Sequence, residues 1–202
     1  SLQLSFIYSL NGKFRVNSVE IIEKYNATGV VVTDDLVEWI RSDHAGETGA
    51  VWIYKGASLA FWSQKIRSMA FEHGETEKQH LVVMDYLLPI SERSKLIFLW
   101  KIMGFGLGFI SSLFGFKAFC HTINIVETFV EKHYGEQIRY LEKHGKCMGL
   151  LIVLKKCCEE EVAHKEESAE RLANSREPRL MFIWRLIVES SSNIAVSVAK
   201  KL

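Results

Sequence analysis

The sequence of 202 residues contains only two prolines, Pro89 and Pro178, a scarcity that favours long helices over short strands and turns. Its formal net charge is only +1, and lysines and arginines occur singly or in pairs, so no basic tract could follow a nucleic-acid backbone. No Cys-x-x-Cys occurs among its four cysteines, which favours free thiols in a reducing compartment. With 48% hydrophobic residues, the chain can bury the core of one globular domain.

Two Glu-x-x-His strings are present, one beginning at Glu77 and one at Glu161. Residues three apart leave the same face of an α-helix, so each string aims a carboxylate and an imidazole at one point. Glu47 lies 30 residues before Glu77, and Glu127 lies 34 residues before Glu161. Together these residues supply the ligands of a carboxylate-bridged dinuclear centre in a ferritin-like four-helix bundle. The predicted metal ligands are Glu47, Glu77, His80, Glu127, Glu161 and His164.

Apolar residues three and four apart predict the helices that carry these ligands. The helices cover residues 33–63, 64–88, 116–143 and 148–175, a break follows at Asn174 to Pro178, and an amphipathic helix covers 180–200. Thr33 offers a capping hydroxyl to the first helix, whereas residues 1–29 show no clear period and are expected to be irregular or partly helical.

The ligand spacing also predicts how the helices pair. A helix rises about 1.5 Å per residue, so positions about 30 residues apart on the two arms of an antiparallel hairpin meet at the same height. We therefore predict an all-α ferritin-like bundle of two antiparallel hairpins, with an extra C-terminal amphipathic helix. Residues 34–202 form the predicted domain, and residues 1–33 are a lead-in segment without an assigned role.

A single Glu-x-x-His string is commonly just a solvated helix face. The doubled string fits that alternative poorly because each glutamate is flanked by apolar residues at helical spacing, and burial of an unpaired carboxylate costs several kcal/mol. The remaining alternative is a buried salt-bridge network, for which few cations lie on the same faces. Carboxylates mixed with imidazoles, without a thiolate ligand, favour iron or manganese over zinc or copper(I).

Residues 96–119 form the most hydrophobic stretch, which would connect the two hairpins. About 20 apolar residues can span a bilayer. Lys101 and four glycines, which we expect to break helical continuity, argue against a span, and a single crossing would put the hairpins on opposite sides of the membrane. An interfacial or re-entrant segment fits better, with its aromatic residues among lipid chains, and the alternative is an apolar crossover packed on the bundle.

Three strings resemble a known family, the demethoxyubiquinone hydroxylases. They are Asp43-His44-Ala45-Gly46-Glu47, Val126-Glu127 with His133-Tyr134, and Glu160-Glu161-Val162-Ala163-His164. The resemblance covers about residues 34–202 and implies the same six metal ligands, two bound iron ions and a ferritin-like bundle. It further implies that dioxygen hydroxylates the ring of an isoprenoid quinone intermediate in ubiquinone biosynthesis.

The same resemblance implies a location and partners. The expected site is the surface of the mitochondrial inner membrane, or of the cytoplasmic membrane in a bacterium, with possible partner proteins of the ubiquinone pathway. Two functions of other classes stay open. A ferritin-like protein for iron oxidation or storage would use the same ligands, and a membrane-bound helical lipid-binding protein would need no metal.

Four further residues are candidates for supporting roles. Tyr134 lies seven residues after Glu127, on the same helix face, and could relay an electron or proton from a quinol or nicotinamide donor, although core packing is the alternative. His133 lies on an adjacent stripe and is a second relay candidate. Asp43 and His44 precede Glu47 by four and three residues and could hydrogen-bond metal ligands.

Overall fold

The computed structural model describes residues 12–173 and 179–202, and within them the chain is helical without strands. The predicted all-α class is confirmed. Residues 1–11 lie outside the described residues, as does the predicted break at Asn174 to Pro178. The helices are α1 (Gly12–Lys24), α2 (Val37–Ala57), α3 (Gln64–Leu87), α4 (Ile97–Leu113), α5 (Phe116–His144), α6 (Met148–Leu172) and α7 (Arg179–Ala199).

Four of these helices build the bundle. Helix α2 packs on α3, and α5 packs on α6, each pair being an antiparallel hairpin closed by a short connection. Helix α4 lies along α2 and joins the hairpins, α7 packs on α5 and α2, and α1 packs on α3. The predicted ferritin-like bundle with an apolar crossover and an extra C-terminal helix is confirmed.

Two apolar cores occupy opposite ends of the bundle. One contains Ile40 from the start of α2 and Met84 from the end of α3, together with Leu154 from the start of α6. The other contains Ile53 from the end of α2 and Met69 from the start of α3. Because the predicted metal ligands lie midway along the same helices, they form a polar layer between the two cores.

The first predicted helix is shorter than expected, and its cap differs. Helix α2 ends at Ala57, and turns fill the chain up to Ser63, whose side chain caps α3 by accepting a hydrogen bond from the Ile66 amide at 3.4 Å. At the other end, a 3-10 turn over Asp34–Leu36 precedes α2. The Thr33 hydroxyl, predicted to cap this start, instead donates to the Asp35 carboxylate at 2.6 Å.

The expectation that glycines break residues 96–119 is wrong for three of the four. Helix α4 is continuous through Gly104, Gly106 and Gly108 and stops only before Gly115, where φ is +92°. A Cβ on Gly104 would lie 2.2 Å from the Gly49 carbonyl oxygen, so the missing side chain lets α4 approach the α2 backbone. The segment is thus packed on the bundle, as one alternative predicted.

The outer face of α4 remains exposed. Its exposed side chains include Phe98, Ile102 and Leu113, and α7 similarly exposes Phe182 and Ile187. Among the described helices, none combines the length and the hydropathy that a membrane span requires.

Within the described residues, the lead-in segment contains helix α1 despite its lack of a clear period. Helix α1 ends in a left-handed turn at Asn26, where φ is +55°, and the amides of Asn26 and Ala27 donate to the carbonyls of Glu23 and Ile22. Asparagine tolerates this conformation better than most residues, and this pair of hydrogen bonds is a common helix ending. The turn leaves Tyr25 fully buried against the bundle.

Candidate metal centre

All six predicted ligands are buried at mid-height in the bundle. Helix α2 supplies one and α5 supplies one, whereas α3 and α6 each supply a glutamate and a histidine. The most exposed of the six, His164, has a relative exposure of only 8%. The structure therefore brings together Glu47, Glu77, His80, Glu127, Glu161 and His164.

The six predicted ligands form two overlapping groups, in each of which the possible donor atoms lie within 4.8 Å of one another. Glu77 and Glu161 belong to both groups. Glu47 and His80 complete the first group, which we call the His80 position, and Glu127 and His164 complete the second, the His164 position. The two hairpins thus contribute equivalent residues to one site, each supplying a single glutamate and one Glu-x-x-His pair.

Both histidines turn Nδ1 toward the shared glutamates. His80 Nδ1 lies 2.8 Å from Glu161 Oε1 and 3.6 Å from Glu47 Oε2. His164 Nδ1 lies 3.1 Å from Glu77 Oε1 and 3.7 Å from Glu161 Oε2. The donor atoms therefore converge, as ligands of a common centre must.

Several buried donor atoms lack a hydrogen-bond partner. Both carboxylate oxygens of Glu77, together with Glu47 Oε2, Glu161 Oε2 and His164 Nδ1, have no hydrogen-bond partner within the described residues. Leaving a buried carboxylate without a partner costs several kcal/mol. The close ion-pair contacts of Glu77 are with His80 and His164, which are themselves candidate ligands. Carboxylate oxygens and imidazole nitrogens suit a metal cation, so the residues fit the predicted group.

Burial and mutual repulsion act on these carboxylates. Burial, and then the charge of Glu161, raise the pKa values of Glu77 and Glu127 well above the usual range. Burial acts in the same direction on Glu161, yet His80 and His164 outweigh it and lower the pKa of that carboxyl. Without metal, the site therefore favours protons on Glu77 and Glu127 and a charge on Glu161.

Two buried tyrosines donate hydrogen bonds to the outer glutamates, Glu47 and Glu127, which each belong to only one of the two groups. The Tyr134 hydroxyl on α5 donates to Glu47 Oε1 on α2 at 2.5 Å. The Tyr54 hydroxyl on α2 donates to Glu127 Oε1 on α5 at 3.1 Å. Each tyrosine lies seven residues after the glutamate of its own helix, but its hydroxyl donates a hydrogen bond to the glutamate of the other helix. Sequence reasoning placed Tyr134 beside the site and gave Tyr54 no role.

The other supporting candidates have polar partners that are not among the predicted metal ligands. His133 Nε2 lies 2.9 Å from Asp43 Oδ1 and 3.1 Å from the Ser42 hydroxyl, and the Gln137 amide donates to the same Asp43 oxygen at 2.6 Å. His44 Nε2 lies 3.1 Å from Asp85 Oδ1. Among the described residues, the predicted hydrogen bonds from Asp43 and His44 to metal ligands do not occur, and these partners take their place.

Sequence reasoning missed residues that contact the two ligand histidines. His73 stacks on His164 with ring centroids 4.0 Å apart, and its Nε2 lies 3.0 Å from Glu167 Oε2. Its position seven residues before His80, on the same helix face, was an available signal. Glu160 Oε2 lies 2.8 Å from His80 Nε2, a contact that no spacing within α6 reveals.

These features define a class, namely helical-bundle proteins with a buried cluster of glutamates and histidines suited to holding a metal ion. Residues 34–199 match the family model described as "Ubiquinone biosynthesis protein COQ7", and the chain belongs to this family.

Several similar proteins share the name "NADPH-dependent 3-demethoxyubiquinone 3-hydroxylase, mitochondrial". The mouse protein is 34% identical over 167 residues, covering 80% of this chain and 76% of that protein. The human protein is 29% identical over 168 residues, covering 81% and 76%. The Dictyostelium discoideum protein is 35% identical over 108 residues, covering 52% of this chain and half of that relative.

Proposed function

We propose that this protein hydroxylates the ring of a demethoxyubiquinone-type intermediate in ubiquinone biosynthesis, using dioxygen. The observation that carries the proposal is the pair of overlapping ligand groups, buried in a chain of the COQ7 family. The relatives' names supply the substrate class and the hydroxylation.

The proposed cofactor is a pair of iron ions. The His80 position would hold one ion and the His164 position would hold the other, and Glu77 and Glu161 belong to both groups of residues. Four ionised glutamates carry four negative charges, which two divalent cations balance. Manganese would satisfy the same ligands, but iron is the metal that supports ring hydroxylation with dioxygen.

When bound, the iron pair supplies the activation of dioxygen, so that one oxygen atom enters the ring and the other leaves as water. The chain supplies position and proton control. Tyr134 and Tyr54 hold the outer glutamates, Glu47 and Glu127, through their hydroxyl protons. The apolar cores at both ends of this layer keep bulk water away from it. We assign Tyr134, with His133 beside it, the relay of an electron or proton from the reductant.

The proposed substrate has an isoprenoid tail and reaches the site from a membrane surface. Exposed apolar side chains on α4 and α7, such as Phe98 and Phe182, favour contact with lipid. Both helices pack on α2, which carries Glu47, so this surface is close in the fold to the metal layer. Because the relatives are named mitochondrial, we propose the surface of the mitochondrial inner membrane.

A single-turnover experiment tests the function. The protein is loaded with ferrous iron under nitrogen, its iron is counted, and it is then aerated with a demethoxylated quinone and a reductant. We expect about two irons per chain and one hydroxylated ring per pair of electrons. Glu161→Ala, which removes a ligand of both positions, should give neither.

Other outcomes would contradict the proposal. A chain that accumulates many irons on aeration and forms no hydroxylated product would be an iron store. A chain that binds quinone-containing vesicles equally well as wild type and as Glu161→Ala, without product from either, would be a lipid-binding bundle.

A further inference from the structure

Residues that precede the matched family region contact the metal layer. The family model begins at residue 34, whereas Lys24 and Tyr25 lie at the end of α1 and just beyond it. The Tyr25 side chain is fully buried, and its ring meets the His80 ring edge-on, with centroids 5.6 Å apart and planes at 88°. The lead-in segment therefore closes the bundle over the His80 position.

Both residues converge on Glu160, the neighbour of the shared ligand Glu161. The Tyr25 hydroxyl makes a short hydrogen bond to Glu160 Oε2, and Lys24 Nζ lies 3.2 Å from Glu160 Oε1. Lys24 also donates to the Gln79 side chain at 2.8 Å, which ties the segment to α3. Each oxygen of Glu160 is thus held from the lead-in segment.

Glu160 in turn fixes the ring of His80. His80 Nε2 lies 2.8 Å from Glu160 Oε2, while Nδ1 faces Glu161 and Glu47. A neutral imidazole that binds metal through Nδ1 must carry its proton on Nε2, and a carboxylate acceptor at Nε2 fixes both this tautomer and the ring angle. The contacts therefore form one chain of hydrogen bonds, from Tyr25 through Glu160 to His80.

We infer that Tyr25 and Glu160, with Lys24, are positioning residues that orient His80 and strengthen metal binding selectively at the His80 position. This inference rests on the proposed dinuclear site. The His164 position has a different surround, in which His73 stacks on the ring and pairs with Glu167. The two metal positions, equivalent in their ligands, therefore differ in what holds their histidines.

Titration with Co²⁺ tests the inference without any need for activity. Wild-type protein stripped of metal is titrated, and the visible absorption of bound Co²⁺ gives the number of ions and their affinities. Loss of a partner that holds a metal-binding histidine typically costs 10–100-fold in affinity. We expect Tyr25→Phe, which keeps the ring and removes the hydroxyl, to weaken one of the two equivalents by about 10-fold. Glu160→Ala should weaken the same equivalent by up to about 100-fold.

Tyr86→Phe is the matched control. The Tyr86 hydroxyl accepts a hydrogen bond from the Gly29 amide at 3.2 Å. This variant therefore also removes one tyrosine hydroxyl that holds the lead-in segment on the bundle. It does not touch Glu160, and we expect both equivalents to bind as in wild type. Far-UV circular dichroism checks folding. If Tyr25→Phe loses helix content, Lys24→Gln is used in its place. Lys24 contacts the same Glu160 carboxylate and is partly exposed, so this variant should weaken the same metal equivalent more mildly.

The possible results distinguish a failure of this inference from a failure of the proposed dinuclear site. In one result, Glu160→Ala and the lead-in variant that folds, either Tyr25→Phe or Lys24→Gln, each bind two Co²⁺ ions with wild-type affinity. That result would overturn the inference and leave the proposed dinuclear site intact. Equal losses in Tyr86→Phe and Tyr25→Phe would also overturn it, because docking of the segment alone would then explain the effect. Failure of the wild type to bind Co²⁺ would instead refute the proposed metal centre.

Discussion

Replacement of Gly108 by alanine probes the close packing of α4 on α2. A Cβ at this position would lie 1.9 Å from the Ile53 carbonyl oxygen and 2.7 Å from the carbonyl carbon. An ordinary contact between carbon and a carbonyl oxygen is about 3.3 Å, so α4 must move away by roughly 1.4 Å. Since the obstructing atoms are backbone, no side chain can rotate to relieve the clash.

The expected cost follows from two opposing effects. Overpacking in a close-packed interior costs about 3 kcal/mol at the upper end of its usual range. Alanine regains about 1 kcal/mol of helix propensity relative to glycine. We therefore expect Gly108→Ala to lower the free energy of unfolding by about 2 kcal/mol and the melting temperature by about 4–8 °C.

Gly106→Ala supplies the control within the same helix. No heavy atom of the described residues, apart from its chain neighbours and its own helix backbone, lies within 4 Å of a Cβ at Gly106. Only the propensity gain applies there, so the free energy of unfolding should rise by about 0.5–1 kcal/mol. Urea unfolding followed by far-UV circular dichroism measures both changes. Equal shifts of the same sign in the two variants would refute the packing argument.

Three further predictions concern the metal layer. The raised pKa values of Glu77 and Glu127 mean that the folded metal-free protein binds protons more tightly than the unfolded chain. Their contribution to the free energy of unfolding is therefore complete below the unfolded pKa of about 4.5, and it falls as pH rises through the folded pKa values. Urea unfolding midpoints, measured in the presence of a chelator between pH 5 and 9, should accordingly decrease as pH rises. Glu77→Gln should flatten that slope; an unchanged slope would contradict its assignment to this layer. In a metal titration, Glu161→Ala should abolish the binding of both metal equivalents, whereas His164→Ala should weaken the binding of one. Identical losses of metal binding in the two variants would contradict the two overlapping positions. Tyr134→Phe should lower the hydroxylation rate by about 10–100-fold at unchanged iron content, measured as product per bound iron, and a normal rate would remove the proposed relay.

Much of the metal centre was predictable because its ligands obey local helical geometry. The three-residue spacing from Glu77 to His80 and the distances to the upstream glutamates depend only on helix rise and hairpin length. The structure brings these residues together as those distances require. Their assignment as iron ligands stays a prediction until metal is measured.

The supporting contacts were not predictable in the same way. Tyr134 bonds Glu47 and not a residue of its own helix, and this choice depends on how α5 faces α2. The contact between Tyr25 and Glu160 joins residues 135 positions apart, so no local spacing encodes it. The prediction for Gly104 and Gly108 was wrong because the helix cost of glycine is local, whereas the compensating approach to α2 is tertiary.

The polar layer between two apolar cores also bears on how the protein acquires its metal. Each core joins helices of both hairpins, so either end can hold the bundle closed while the middle opens. Local opening at the layer would then admit ions to a chain that is already folded. Amide hydrogens near Glu77 and Glu161 should accordingly exchange faster than those of either core in metal-free protein, and slow when metal binds.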